Sequence, residues 1–465
     1  MSGAPTAGLE SDCDDQNRAQ LYLGTFQPLM LSVIRYRLET DTGTDLMGDF
    51  VIIGSGVAGH RAAAELHRLD PSQSVYVVGT EPGAPYDRPP LSKEYLKTTE
   101  PVRPDLGPAE IYKSNVTLRD GLTATSIDRP NQTIALSDGS SIQYDRLLLA
   151  TGSRLRHLDL PNIDPARVFY LRTILDAQRL RTALDNHLRI AIIGGGFVGL
   201  EIAAAAKRNG CTVTLLERAP ELLSRGATPP LAEFARKMHS RQDVRIFLGI
   251  NISEAFQDGS DIVLRWPEGE VRSDILVVGV GIIPNIELAL QCGLATADGI
   301  LVDQQCRTSD EWIFAAGEVT SYPVDRLGVH IRTESWSSAS AQGTVAATSM
   351  LGRNGMFNEL PWFWSDQYDC NIQCLGLPKR ASRFHQIGDL NSESWLRIGV
   401  DDAGSLVGAE SVNKGREMSA LRRADRRGEP IPTALIKDSI LVQSCSTVGD
   451  LGAGSASLNV NVRTQ

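Results

Sequence analysis

The sequence predicts an α/β protein with two similar strand–turn–helix–strand units and a smaller, β-rich unit near the end of the chain. An apolar run at 50–53 leads into the turn GSGVAG, and a segment of helical composition follows. A second apolar run at 190–193 leads into GGGFVG in the same order. From Pro361 onwards, aromatic residues and alternating positions are typical of β-structure. At 465 residues the chain is too long for one core, and about three domains are expected.

The first glycine motif predicts a dinucleotide site. Gly54 permits a tight turn, Gly56 lets the backbone approach a pyrophosphate, and Gly59 lets the helix pack closely on its strand. The phosphates would then meet the positive end of the helix dipole. A second apolar run at 74–79 is followed by Glu81, which can accept a hydrogen bond from a ribose hydroxyl. Because strand, turn, helix, strand and acid come in this order, a chance glycine-rich loop is a poor explanation.

The second glycine motif repeats this arrangement and predicts a second dinucleotide site. The turn at 194–199 is followed by a helical segment and an apolar strand at 212–216. Glu217 comes next, about 20 residues after Gly196, which is the spacing of an acid that binds the ribose 2′-hydroxyl. A carboxylate there repels a 2′-phosphate, so the site is expected to prefer NADH to NADPH. The adjacent Arg218 can accommodate a phosphate, which leaves some use of NADPH open.

Composition and charge exclude several classes of protein. The net charge is −10, and no basic tract marks a nucleic-acid surface. No segment holds about 18 consecutive apolar residues, so no membrane-spanning helix is expected. The seven cysteines are odd in number and scattered, which indicates a reduced, cytoplasmic protein.

Residues 1–47 precede the first strand and show neither helical periodicity nor capping. Acidic residues stand where a signal peptide would carry its basic segment, so secretion is not expected. We expect residues 1–46 to be disordered or an artefact of gene-start assignment, with Met47 as the natural first residue.

A stiff loop follows the first unit, because the double proline at 89–90 restricts its backbone. The loop can present Arg88 and Lys93 to a bound ligand, although these residues alone are equally compatible with two solvated surface cations. Further on, a buried strand is expected at 146–149. It ends in the small-residue turn at 150–152, where backbone can again approach a cofactor.

Several motifs outside the glycine turns point to one family. They are YDRPPLSK at 86–93, ATG at 150–152, AAGE at 315–318, RTESW at 332–336 and PWFWSD at 361–366. Together with the two nucleotide folds, they resemble the FAD-dependent, NADH-oxidising ferredoxin reductases of multicomponent oxygenases. The resemblance runs from about Asp49 to residue 438. YDRPPLSK, RTESW and PWFWSD are rather specific to this family, whereas the glycine motifs belong to a wider superfamily.

The resemblance implies a glutathione-reductase-like fold in which the NAD-binding domain is inserted into the FAD-binding domain. It also implies that the first glycine motif binds FAD and the second binds NADH. The implied domains are an N-terminal extension at 1–47, an FAD-binding domain at 48–160 and 285–358, a NAD-binding domain at 161–284, a small α+β C-terminal domain at 359–440 and a tail at 441–465.

The resemblance further assigns roles to single residues. Lys93 would lie beside the isoalloxazine, where a cation favours the anionic reduced ring. Trp336 would sit against the flavin, and Glu201 would face the nicotinamide end. The implied FAD contacts are Gly54, Gly56, Ala58, Gly59, Glu81, Arg88, Lys93, Ala124, Thr151, Gly152, Arg154, Gly317, Glu318 and Trp336. The implied NADH contacts are Gly194, Gly196, Phe197, Val198, Gly199, Glu201, Glu217 and Gly281.

Two departures from the family pattern are visible. Many relatives have Gly-Asp-Glu at the end of the first ribose-binding strand, whereas this chain has Gly-Thr-Glu at 79–81. The ribose contact therefore passes to Glu81 or is weakened. The family's Asp after Ala-x-Gly, which contacts the ribityl chain, is here Glu318. Its additional methylene requires a shifted backbone or a bridging water for the same contact.

The implied reaction is hydride transfer from NADH to FAD, followed by single-electron transfer to a [2Fe–2S] ferredoxin that feeds an oxygenase of aromatic hydrocarbon catabolism. No side chain has to act as acid or base, so neither a catalytic residue nor a metal ligand is predicted. Rubredoxin and monodehydroascorbate reductases share the fold and differ in the acceptor, and a non-catalytic NADH-binding redox sensor is a further alternative. No cysteine lies between residues 13 and 211, which argues against the disulfide reductases of this fold. The oligomeric state stays open.

A basic docking patch is expected, because ferredoxins are usually acidic. A solvated helix face explains the basic residues between 414 and 427 equally well. The candidates are Lys414, Arg416, Arg422, Arg423, Arg426, Arg427, Arg326 and Arg332. Cys370 and Cys374 are interpreted as packing residues of a strand, because their spacing fits neither a zinc site nor a redox pair.

Overall fold

The computed structural model describes residues 48–98, 100–107, 109–186, 188–437 and 439–443. The hypothesis that residues 1–46 are disordered or spurious therefore lies outside the described residues. The same holds for the part of the predicted tail beyond residue 443.

Four of the five strands in the first parallel sheet are apolar and mostly buried, and the edge strand Val116–Asp120 is partly exposed. Across the sheet the strands run in the order Ile313–Ala315, Arg146–Leu149, Phe50–Ile53, Val75–Gly79 and Val116–Asp120. Helices Val57–Leu69 and Trp336–Met350 pack on one face. These helices lie very close together, since a Cβ on Gly343 would come within 2.3 Å of the Ala58 carbonyl oxygen. An antiparallel sheet covers the other face, with strands Ala124–Asp128, Thr133–Leu136 and Ser141–Gln143.

The second parallel sheet has the same plan as the first. Its strands run in the order Arg245–Leu248, Thr212–Glu217, Arg189–Ile193, Ile275–Val278 and Val168–Phe169. One face is packed by helices Ile174–Leu184, Phe197–Arg208 and Pro229–Arg241. The other face is covered by the antiparallel strands Glu254–Asp258, Asp261–Trp266 and Gly269–Ser273. Each parallel sheet with its cover is called here the first or the second unit.

The second unit is inserted into the first along the chain. Strands Arg146–Leu149 and Ile313–Ala315 pair directly in the first sheet, and the strands of the second sheet fall between them in sequence. An antiparallel ribbon of Ser153–Leu155 with Ile282–Pro284 joins the outgoing and returning connections. This insertion, the two parallel sheets and the antiparallel C-terminal sheet confirm the predicted fold class.

The C-terminal unit is an antiparallel sheet with a helix. The strands run in the order Trp362–Gln367, Cys370–Gly376, Leu406–Val412, Trp395–Val400, Arg383–Ile387 and Ile440–Gln443. Helix Gly415–Arg426 packs on this sheet through Met418 and Leu421. Cys370 and Cys374 are unpaired and buried in the core. The last strand carries the sheet past the predicted boundary at residue 440.

The remaining elements are a small four-stranded sheet, short α-helices and 3₁₀ segments. The strands are Thr296–Ala297, Gly299–Leu301, Thr320–Val324 and Val329–Ile331. The short α-helices are Glu94–Lys97, Glu287–Gln291 and Thr433–Ile436. The 3₁₀ segments are Pro89–Ser92, Ala109–Lys113, Pro165–Arg167, Asp325–Leu327 and Pro378–Arg380. Within the described ranges, the helices are all too short or too polar to cross a membrane.

Candidate active site

The first glycine turn is shaped by the protein at two positions and open to a ligand at the third. A Cβ on Gly54, where φ is +114°, would lie 2.0 Å from the Ala150 carbonyl oxygen. A Cβ on Gly59 would lie 1.9 Å from the Gly54 carbonyl oxygen. A Cβ on Gly56 would meet nothing within 4 Å. Gly56 is the N-cap of the helix, so no side chain caps the first backbone N–H groups. The helix N-terminus therefore opens onto space that a pyrophosphate fits.

The second glycine turn shows the same division of roles. A Cβ on Gly194, where φ is +111°, would lie 2.3 Å from the Gly279 carbonyl oxygen. A Cβ on Gly199 would lie 2.1 Å from the Gly194 carbonyl oxygen, whereas one on Gly196 would meet nothing within 4 Å. The residues of both turns therefore fit a dinucleotide phosphate by the same steric criterion.

A cleft of 340 Å³ adjoins the first turn. Its lining includes Gly54, Ala124 and Thr151 from the predicted FAD contacts. Asn285 also lines the cleft. Its side-chain amide donates to the Thr151 carbonyl oxygen at 2.9 Å and so joins two segments of the lining. The same side chain accepts a hydrogen bond from Arg154 at 2.9 Å. Sequence reasoning missed Asn285, since its partners lie more than a hundred residues away in the sequence.

Glu81 and Arg88 form an ion pair at the end of the first ribose-binding strand. The two side chains meet at 2.5 Å, and Glu81 also accepts a hydrogen bond from the Tyr86 hydroxyl. Arg88 donates in addition to the Arg172 carbonyl oxygen at 2.6 Å. Burial raises the pKa of Tyr86 to about 12, so this hydroxyl stays protonated and donates. Arg88 is therefore not the solvated cation that the sequence left open.

A buried ion pair joins the first and second units. Lys93 Nζ lies 3.0 Å from Glu201 Oε1, and the two side chains are 10% and 4% exposed. Lys93 also donates to the Pro89 carbonyl oxygen at 3.2 Å. The Ser92 hydroxyl donates to Glu201 Oε2, and the Ser365 hydroxyl donates to Oε1 at 2.5 Å. Carboxylate, cation and hydroxyls therefore compensate one another in a site closed to solvent.

Trp336 stands at the first turn of its helix, which Ser335 caps by accepting from the Ser338 backbone N–H at 3.1 Å. The indole N–H donates to Asp87 at 2.6 Å. Burial raises the pKa of Asp87 above its usual range, although the indole hydrogen bond opposes this shift. The ring meets Trp364 edge-on with centroids 6.2 Å apart. Asp87 was missed as a site residue, although it stands inside the YDRPPLSK motif.

The second family departure, Glu318, takes a definite position in the structure. Glu318 forms an ion pair with Arg172, which comes from the start of the inserted unit. Gly152, where φ is +60°, lies beside this pair, because a Cβ there would be 3.4 Å from Glu318 Oε1. The preceding Gly317 donates its backbone N–H to Gln342 at 2.8 Å. The longer acid at 318 is therefore directed to Arg172 in the described structure.

The predicted NADH contacts gather at the carboxyl ends of the second sheet. Glu217 accepts from the Gly195 backbone N–H at 2.6 Å and from the Ala219 N–H at 2.7 Å, so its carboxylate reaches the glycine turn. Phe197 packs edge-on against Phe363 with centroids 4.8 Å apart. Gly281 adopts φ +100° just beyond strand Ile275–Val278. Sequence-distant residues thus converge where an open α/β sheet binds its ligands.

Family models match nearly all of the described chain. A model described as pyridine nucleotide-disulphide oxidoreductase matches residues 48–343. A second model, described as reductase C-terminal, matches residues 362–441.

Named relatives and a solved structure resemble the chain over most of their length. The anthranilate 1,2-dioxygenase system ferredoxin–NAD(+) reductase component of Burkholderia cepacia is 39% identical over 84% of this chain and 97% of the relative. The 3-phenylpropionate/cinnamic acid dioxygenase ferredoxin–NAD(+) reductase component of Photorhabdus laumondii is 38% identical over 80% of this chain and 95% of the relative. The ferredoxin reductase for the CYP199A2 system from Rhodopseudomonas palustris superposes with a TM-score of 0.79 at 34% identity, covering 84% of this chain and 97% of that one.

Proposed function

Because the chain belongs to the pyridine nucleotide-disulphide oxidoreductase family, we propose that it is a ferredoxin reductase that binds FAD and NADH. When bound, FAD supplies the redox chemistry: it accepts a hydride from NADH and passes the electrons singly to a [2Fe–2S] ferredoxin. The observation that carries this proposal is the buried Lys93–Glu201 pair. The pair lies between the two nucleotide-binding units, and Lys93 follows the double proline at 89–90. The sequence between residues 13 and 211 has no cysteine, whereas a disulfide reductase would need cysteines there.

The protein's own contribution in this proposal is to hold two nucleotides with their reactive rings together. Hydride transfer needs a near-attack geometry, so positioning is the main source of catalysis. The first unit would hold FAD through its glycine turn and the cleft closed by Asn285. The second unit would hold NADH through its own glycine turn and Glu217. The domain limits and individual site residues remain those that the sequence resemblance implies.

Lys93 and Glu201 would lie at the meeting point of the flavin and nicotinamide rings. A lysine ammonium there stabilises negative charge that develops on a reduced flavin. Glu201 keeps the ammonium in place by ion pairing at 3.0 Å, while the Pro89 carbonyl oxygen holds it from another side. The pair thus supplies a fixed electrostatic environment and needs no proton transfer to substrate.

The ferredoxin docking face in this proposal is a groove of 570 Å³ at the edge of helix Trp336–Met350. Trp336 and Trp362 line it, and Arg422 is the candidate cation along its wall, because the neighbouring Arg426 forms an ion pair with Glu359 at 3.0 Å. The Arg422 guanidinium lies 3.5 Å from the Trp362 ring centroid. Burial lowers the pKa of Arg422 to about 10, which still leaves it charged at neutral pH. An acidic partner would meet the Arg422 charge beside Trp336, the residue that would sit against the flavin.

Arg326 and Arg332 are less suited to docking. Arg326 forms an ion pair with the buried Asp425, and Arg332 contacts Asp298 at 2.9 Å. Both guanidinium groups therefore serve contacts within the chain. Arg422 of helix Gly415–Arg426 contributes the docking charge that the proposal uses.

The acceptor distinguishes this proposal from its rivals. Rubredoxin and monodehydroascorbate reductases would share both nucleotide sites, but the relatives' names specify ferredoxin–NAD(+) reductases. The same names belong to dioxygenase systems for aromatic acids, which supports an oxygenase of aromatic compounds as the final electron acceptor. A cytoplasmic location, expected from the scattered cysteines, is part of the same proposal.

A visible spectrum and an acceptor series test the proposed function. The purified protein should be yellow and should be bleached by NADH in preference to NADPH. NADH-dependent reduction of a [2Fe–2S] ferredoxin should then be faster than reduction of rubredoxin or O₂. Rapid turnover with O₂ and negligible ferredoxin reduction would contradict the proposal. So would a folded, colourless protein that takes up no added flavin.

A further inference from the structure

A row of polar side chains leads away from Glu201 through the protein interior. Ser365 Oγ lies 2.5 Å from Glu201 Oε1, and Gln367 Nε2 lies 2.9 Å from Ser365 Oγ. His239 Nε2 lies 2.9 Å from Gln367 Oε1, and the Tyr368 hydroxyl lies 3.2 Å from His239 Nδ1. Ser365, Gln367 and His239 are fully inaccessible to solvent. This row is called the Glu201 chain below.

The carboxylate determines the direction of every hydrogen bond in the Glu201 chain. An ionised Glu201 can only accept, so Ser365 must give it its single hydroxyl proton. Ser365 then accepts from the amide nitrogen of Gln367, which turns the amide oxygen towards His239. His239 must therefore donate from Nε2, and its Nδ1 is left to accept from Tyr368. The donors all point towards Glu201.

The state of His239 agrees with this direction. Burial lowers the pKa of His239 to about 4, so the ring is neutral at physiological pH and carries one N–H. That single proton is enough for the chain, because the other ring nitrogen accepts. A charged His239 would have to donate from both nitrogens, and Tyr368 would then have to accept the hydrogen bond that it otherwise donates.

The Glu201 chain joins parts of the molecule that are distant in sequence. Glu201 and His239 lie on helices of the second unit, whereas Ser365 and Gln367 lie on one face of strand Trp362–Gln367 in the C-terminal unit. Tyr368 ends the row in the turn after that strand, and its ring packs edge-on against His239 with centroids 5.1 Å apart.

The backbone at Tyr368 supports a specific role for this residue. Its φ is +52°, a region that bulky side chains rarely occupy and that costs on the order of 1–3 kcal/mol. A glycine or asparagine would adopt this turn more readily, but neither could reach His239. The strain is therefore kept at the residue whose hydroxyl completes the chain.

We propose that Ser365, Gln367 and His239 are positioning residues that orient the Glu201 carboxylate towards Lys93, so that the C-terminal unit sets the electrostatics at the flavin. This inference rests on the proposed function for the identity of the cofactor. The chain transmits orientation and not protons, because the amide of Gln367 interrupts any relay of hydroxyl and imidazole groups. Ser92 and Lys93 hold the same carboxylate from the first unit, and the Glu201 chain completes its shell from the third.

A pair of buried serines provides a matched test. Ser365→Ala removes one donor from Glu201, which leaves its negative charge less compensated and should make the flavin reduction potential more negative. Ser411→Ala is the control: Ser411 is equally inaccessible on a strand of the same sheet, and its hydroxyl has no hydrogen-bond partner in the described part of the chain. The holoprotein potentials are measured by equilibration with reference dyes. Equal potentials in the two variants would overturn the inference.

The tautomer of His239 gives a second readout that does not depend on activity. In protein with ¹⁵N-labelled histidine, NMR should show the Nε2–H tautomer at His239, with the signal assigned by its loss in His239→Gln. Tyr368→Phe removes only one hydroxyl and should shift the Nδ1 resonance. An Nδ1–H tautomer in the wild type would reverse the chain and sink the proposal, even if Ser365→Ala fails to fold.

The two hypotheses fail in different ways. A wild-type protein that binds flavin and reduces ferredoxin, but whose potential and histidine signals ignore these substitutions, would leave the proposed function intact and remove the Glu201 chain. A protein that takes up no flavin but shows the Nε2–H tautomer would leave the geometry of the chain intact and remove the proposed function.

Discussion

The substitution Lys93→Met tests the buried ion pair directly, because it leaves the Glu201 carboxylate without its cation. At the observed separation of 3.0 Å, the attraction between the charges is about 5 kcal/mol with an effective dielectric constant of about 20. Breaking a buried pair costs about 3–5 kcal/mol, since the remaining charge stays desolvated. The hydroxyls of Ser92 and Ser365 still donate to Glu201, so the loss should fall near the lower limit, about 3 kcal/mol.

Thermal unfolding followed by calorimetry measures this loss. A destabilisation of about 3 kcal/mol corresponds to a fall in Tm of roughly 6 °C or more for units of this size. The double variant Lys93→Met with Glu201→Gln should recover part of the fall, because the uncompensated charge is removed with its partner.

Lys97→Met is the matched control. Lys97 and Glu94 have the same separation of 3.0 Å, but the Glu94 side chain is 70% exposed. An exposed pair contributes less than about 1 kcal/mol, so Tm should change little. If Lys93→Met lowers Tm no more than Lys97→Met does, burial of the ion pair does not have the energetic consequence argued here.

Three further predictions concern cofactor choice, docking and pH. Glu217→Gln keeps an acceptor for the Gly195 N–H but removes the negative charge. The ratio of kcat/KM for NADPH to kcat/KM for NADH should therefore rise about tenfold, or about 1.4 kcal/mol, in steady-state assays. An unchanged ratio would show that Glu217 does not determine the preference for NADH. Arg422→Glu should slow ferredoxin reduction about tenfold at low salt and leave direct dye reduction unchanged. The control is Arg416→Glu, which changes an exposed residue of the same helix outside the groove and should have a smaller effect. Equal effects of the two variants would mean that only net charge matters. The folded-state pKa of His239 is about 4, against an ordinary value of 6.5, so the unfolded chain binds more protons between these two pH values. The free energy of unfolding therefore falls as the pH falls through this window, by about 2 kcal/mol at pH 5. The difference in Tm between pH 7.5 and pH 5 should shrink in His239→Gln, and it would stay the same if another group were responsible.

The sequence alone determined the parts of the molecule that obey local rules. Apolar runs that end in glycine turns predicted both parallel sheets and the helix that opens each site, because the steric need for glycine arises within one turn of chain. The contact of a Cβ on Gly59 with the Gly54 carbonyl oxygen shows this local need directly, whereas the clash at Gly54 is with the distant Ala150 carbonyl oxygen. The motifs at 86–93, 332–336 and 361–366 predicted the family, and two relatives that are 38–39% identical to the chain are named as ferredoxin–NAD(+) reductase components.

Only the tertiary structure decided which side chains share the interior with those motifs. Trp336 meets Asp87 across 249 positions of sequence, and Glu201 meets Ser365 across 164. No periodicity or spacing encodes such a pair, because it depends on how the separate sheets and helices pack against one another. Lys93 illustrates the difference. From the sequence alone it could be a solvated cation, but in the folded chain its ammonium is held against the buried Glu201 carboxylate.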